Sequence, residues 1–138
     1  MRYRTTFLIT VLGLMLAGVT VAQDKGKVAS KVDTETVVTT FHVKEGKEDE
    51  FAKVLEQAWA TYQRLGMVLP KFNLVLRGVE GVNKTYFMEI FTWKDHDAPD
   101  HAPAEVQTIW ARMESLCERR DGHRGIEFTE VQIIAPPK

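Results

Sequence analysis

The sequence predicts an α+β domain whose elements run in the order β-α-β-β-α-β. Three observations predict it: two apolar stripes at helical spacing, four segments rich in β-branched or aromatic residues, and Gly- or Pro-marked turns between them.

Thr34 to Val43 is rich in Thr and Val, whose branched Cβ atoms suit a pleated surface. Alternation puts Val37, Phe41 and Val43 on one face, with Val38 and His42 on the other. Glu45-Gly46 breaks the run, and a helix follows. Phe51, Val54, Leu55, Ala58, Trp59, Tyr62 and Leu65 recur at three- and four-residue steps to form its apolar stripe. Glu48, Asp49 and Glu50 occupy the first turn, where the helix dipole favours negative charge, and Arg64 and Gly66 mark the end.

Phe72 to Gly78 reads as the second strand and Glu80 to Lys84 as a loop of hairpin length. Thr85 to Trp93, the most aromatic segment, is the third strand. Lys94 to Ala102 is a polar loop dense in Asp and His, after which Pro103 suits the first turn of a helix. Val106, Ile109, Trp110, Met113, Leu116 and Cys117 make its stripe, which runs out near Arg119-Arg120. Asp121-Gly122 turns the chain into a fourth strand, Gly125 to Ile134.

That order is the split βαβ, or ferredoxin-like, arrangement. Right-handed crossovers place both helices on one face of a four-stranded antiparallel sheet and leave the other face bare. On a monomer the bare face should turn polar. Here Tyr86, Met88 and Ile90 point one way along the third strand, while Phe87, Phe91 and Trp93 point the other. The second strand offers Phe72, Leu74 and Leu76 on one side and Val75 on the other. Apolar surface on both faces predicts a second body over the sheet, and an identical subunit related by a two-fold axis is the commonest.

Ahead of this domain lies a segment with the features of an export signal. Arg2 and Arg4 form a positive start, Phe7 to Ala22 is apolar or small, and Val19-Thr20-Val21-Ala22 suits a signal peptidase. The run is short for a helix crossing a ~30 Å hydrocarbon layer. A cleaved signal over 1–22 is therefore expected, with a retained anchor as the alternative, and the destination is secreted or periplasmic. Residues 23–33 are polar and aperiodic, a flexible tether; 34–134 form the domain and 135–138 a tail. Without Arg2 and Arg4 the chain carries 16 basic and 19 acidic side chains, a formal charge of −3. This mild acidity points away from nucleic acid and anionic membrane surfaces. Cys117 is the single cysteine, so no disulfide forms within one chain, and its helical spacing predicts burial.

Two stretches carry a family resemblance: Val43-Lys44-Glu45-Gly46-Lys47-Glu48-Asp49-Glu50-Phe51 at the entry to the first helix, and Phe87-Met88-Glu89-Ile90-Phe91-Thr92-Trp93-Lys94-Asp95 along the third strand. With these segments in these positions, residues 34–134 resemble the dimeric α/β-barrel superfamily, and more narrowly its antibiotic-biosynthesis-monooxygenase group. The resemblance implies a barrel formed by two facing sheets and a pocket between each sheet and its helices. The family includes cofactor-free oxygenases acting on quinols or polyketides, haem-degrading enzymes and many members with no known activity, so the resemblance implies one of these.

Candidate residues are few. His42, at the end of the first strand, is a general base or orienting donor, or a strand-end histidine with an ordinary partner. Glu89, within an aromatic strand, is a pocket acid or base, or pairs with Arg77 on the neighbouring strand. Tyr86 and Trp93 are candidate pocket walls, whereas Trp59 and Trp110 have the spacing of core residues. Asp95, His96, Asp97, Asp100 and His101 bring metal-competent groups together, or form a solvated loop whose aspartates cap the next helix. The resemblance ranks His101 above His96. The sequence has no phosphate-binding glycine motif and no nucleophile elbow.

The expected function is therefore binding of a small aromatic or quinone-like molecule by a homodimer, with oxygenase activity implied by the resemblance. His42 or Glu89 would be the proton acceptor, and Tyr86, Trp93 and His101 would shape the pocket. A non-catalytic ligand-binding or assembly module is the alternative, followed by a metal-dependent enzyme using the Asp95–His101 loop.

Overall fold

A computed structural model describes residues 33–134. The segment expected to be an export signal, the expected tail and all of the expected tether but Asp33 lie outside them. The elements are β1 (Glu35–His42), α1 (Glu48–Arg64), β2 (Val68–Glu80), β3 (Lys84–Trp93), α2 (Ala104–Leu116) and β4 (Ile126–Val131). The strands form one antiparallel sheet in the order β2-β3-β1-β4, the ferredoxin-like topology.

Register explains the layering. Val37 pairs with Phe91 and Phe41 with Phe87, so the odd-numbered residues of β1 and β3 share a face. They pack with Phe51, Leu55, Ala58 and Tyr62 of α1 and with Val106, Ile109, Met113 and Leu116 of α2 in one core. Ring centroids of Phe51 lie 5.0 Å from Phe41 and 5.2 Å from Phe87, which locks α1 to the central strands. Even-numbered residues face away from the helices. There Val38, Met88 and Ile90 are half-buried, and Leu74 and Leu76 are 41% and 45% exposed.

The largest departures from the sequence-based expectation fall in three elements. The second strand begins at Val68 rather than Phe72. It is an edge strand, where Pro70 breaks no ladder bond to an outer neighbour, and its register slips between Val68 and Asn73. The second helix stops at Leu116. Cys117 turns extended and bridges to Val43, which buries it without its being helical. The fourth strand covers Ile126–Val131, the length over which β1 offers partners from Phe41 back to Thr36. Between β2 and β3 the chain reverses through Gly81 and Asn83, both at positive φ, the conformation that Gly and Asn tolerate best.

Candidate functional site

The sheet separates the predicted site residues. Glu89 and Trp93 occupy the helix-facing side of β3, whereas His42 and Tyr86 face the open side, where they are register partners. His101 is exposed in the β3–α2 loop, its amide donating to the Asp97 carbonyl at 3.2 Å. These five side chains do not converge on one pocket.

His42 is 5% exposed, with Nδ1 unpartnered and 3.9 Å from Glu80 Oε1; its ring lies 5.9 Å from that of His123. Tyr86 lies across β2 so closely that a Cβ at Gly78 would collide with its ring. The glycine makes that crossing possible. Both side chains belong to the open face.

Glu89 is the chemically unusual group. It is 2% exposed, and its Oε1 has no hydrogen-bond partner. It makes no ion pair among the described residues; Arg77 instead stacks over the Phe87 ring at 5.7 Å. Burial of the carboxyl raises its pKa from 4.5 to about 7, with the nearby Asn73 side chain working the other way. Asn73 Oδ1 is buried and unpartnered as well. The register slip in β2 immediately precedes Asn73 and sets it opposite Phe91, diagonal to Glu89. Helical and strand periodicity carry no signal for this residue, because its position depends on the slip.

Around this carboxyl the helix-facing layer is aromatic. Trp93 packs 5.1 Å from Tyr62, 4.7 Å from Phe91 and 6.5 Å from Trp110. Trp110 Nε1 donates to the Tyr62 hydroxyl at 2.6 Å, tying α2 to α1. Burial holds that hydroxyl protonated; the Trp110 bond opposes the shift and the charge on Glu89 adds to it. A cavity of about 310 Å³ opens against this layer, walled by Val37, Thr39, Phe91, Trp93, Trp110 and Phe128, with Glu35, Pro99 and Asp100 at its rim. Trp110 is thus wall as well as core, and Phe128 was not foreseen. Glu89 does not line the cavity but adjoins its wall, as register partner of Thr39 and two places from Phe91. A larger opening of about 850 Å³ between α2 and β4 has the charged rim of Glu114, Glu118, Arg119 and Arg124 and none of the predicted residues.

In the β3–α2 loop, His96 Nδ1 lies 3.0 Å from Glu35 Oε2 rather than joining the aspartates. No group of three or more His, Cys, Asp and Glu side chains is arranged to hold a metal among the described residues. Pro103 begins α2 without a side-chain cap, so the loop aspartates do not serve that purpose either.

No protein-family model and no curated protein matches the chain. Solved structures do. A single-site variant of SnoaB, a cofactor-independent oxygenase from Streptomyces nogalater, superposes with a TM-score of 0.57 at 22% identity, covering 75% of this chain and 96% of that one. The chain has the antibiotic-biosynthesis-monooxygenase-like fold. A candidate antibiotic biosynthesis monooxygenase from Bordetella bronchiseptica matches at TM-score 0.55 and 15% identity over 75% of this chain and 99% of that one. Rv0793 from Mycobacterium tuberculosis matches at 0.56 and 9%, over 77% and 100%.

Proposed function

We propose that this chain is an exported, homodimeric, cofactor-independent oxygenase acting on a hydroxylated aromatic or quinol-like molecule. One observation carries the reading: a buried carboxyl poised at about 7 adjoins an apolar cavity walled by aromatic rings. The likeness to SnoaB supports the reaction type.

The cavity would hold the flat substrate against Trp93 and Trp110 and keep water from it. Ionised Glu89, which stands behind the wall at Thr39 and Phe91, would take the proton of a ring hydroxyl through one bridging water and leave an electron-rich anion beside the aromatic wall. Dioxygen is the oxidant and the substrate the reductant: a ring C–H becomes C=O with one oxygen atom, the hydroxyl becomes a second C=O, and the other oxygen atom leaves as water, taking the ring hydrogen and the proton that Glu89 had accepted. His42 has no part in this scheme, because the sheet lies between it and the cavity.

Oxygen uptake over a panel of quinols and hydroxynaphthalenes tests the assignment. Glu89→Gln should lower kcat at least ~100-fold, the usual contribution of a general base, while His42→Ala leaves it unchanged. Wild-type turnover that Glu89→Gln does not affect would sink the role given to Glu89. A binding module without turnover is the second reading, favoured by the placement of Glu89 beside the cavity wall rather than on it. It predicts saturable ligand binding with no oxygen consumed.

Two further features belong to the proposal. The 1–22 segment would direct export and be cleaved after Ala22, which N-terminal sequencing of the mature protein reads directly. No described helix is long and apolar enough to cross a membrane. The half-exposed apolar side of the sheet, from Leu74 and Leu76 to Met88 and Ile90, would be covered by a second copy of the chain.

A further inference from the structure

Phe128 stands opposite Thr39 on the helix-facing side of β4, yet it is 76% exposed. Other aromatic residues on that side of the sheet, Phe41, Phe87, Phe91 and Trp93, are buried. The difference follows from topology, because β4 is an edge strand lying beyond the central pair that the helices cover. A ring left in solvent adds little to folding. It does, however, form one wall of the 310 Å³ cavity, facing rings that the core holds still: Trp93 in the aromatic layer and Trp110 through its bond to Tyr62.

We propose that Phe128 is the outer jaw of this cavity and its specificity determinant. The ring closes over a planar ligand and favours fused two- and three-ring aromatics over single rings. A single ring is satisfied by the fixed wall, whereas a wider one extends past it and needs a second face to stack on. The volume lies at the small end of ligand sites, which suits one flat molecule of this size. This inference rests on the cavity being the ligand site, as in the oxygenase reading, but not on catalysis.

Quenching of tryptophan fluorescence tests it with two sulfonated probes, anthraquinone-2-sulfonate (three rings) and 4-nitrobenzenesulfonate (one ring). Phe128→Ala should raise Kd for the three-ring probe about tenfold and leave the one-ring probe unchanged. Phe128→Leu should fall between, and thermal melting should stay where it is, since the side chain is exposed. Equal effects on both probes, or none, overturn the proposal while leaving the cavity as a ligand site. A changed molecular mass in light scattering with unchanged affinity also overturns it, by making Phe128 a contact between copies. If wild-type protein binds neither probe, the cavity reading falls with it; oxygen uptake by wild type and Glu89→Gln tests the catalytic reading separately.

Discussion

Glu89 sets stability against the proposed chemistry at one carboxyl. Its pKa is raised on folding, from 4.5 to about 7, so between these values the folded chain binds a proton that the unfolded chain has released. Stability from this group is therefore full below about 4.5 and is lost as pH rises through about 7, by about 3 kcal/mol in all. Urea unfolding at pH 5 and pH 8.5 should show that loss in wild type, and Glu89→Gln should remove most of it. Proton acceptance needs the ionised form, so turnover should climb with pH up to about 7, opposite to stability. Sequence reasoning reached Glu89 because a carboxylate in an aromatic strand is conspicuous. It does not reach Asn73, whose place beside Glu89 depends on an irregular register, or separate His42 from Glu89, because the pairing of β1 with β3 decides which of their residues share a face.

At the scale of elements, a single side chain fastens the strand ends. Arg120, 3% exposed, donates to the Val43 carbonyl at 2.8 Å, the Thr85 carbonyl at 3.0 Å, Glu80 at 2.9 Å and Glu118 at 3.0 Å. Burial works against its charge, and the hydrogen bonds it donates to Glu80 and Glu118 outweigh that. The ends of β1 and β2, the start of β3 and the link from α2 to β4 are thereby joined at one guanidinium. Arg120→Met should cost about 3 kcal/mol in urea unfolding, since four acceptors lose their donor. Arg120→Lys should recover only part, because an ammonium cannot reproduce the planar fork. Periodicity placed Arg120 only at the fraying end of a helix. Its role arises because four chain segments meet there.

At the scale of the molecule, the side of the sheet away from the helices carries the assembly proposal. Leu74, Leu76, Met88 and Ile90 form a band that the chain's own helices cannot reach. A two-fold copy laid across it would remove that surface from water. Light scattering should give twice the chain mass at micromolar concentration, and Ile90→Lys, which puts a charge into the band, should shift it to one. A monomeric wild type would contradict the pairing.

Local chemistry was enough to determine the element order, the antiparallel sheet with helices on one side and the two apolar faces. Each depends on spacing within a segment or on topology rules that any βαββαβ chain obeys. Only the tertiary structure decided which candidates share a space. It placed Glu89 and Trp93 on the cavity side with Phe128 at the mouth, His42 and Tyr86 behind the sheet, and His101 in the loop. Those outcomes depend on pairing register, a strand slip and the reach of the helices, quantities set between segments distant in sequence.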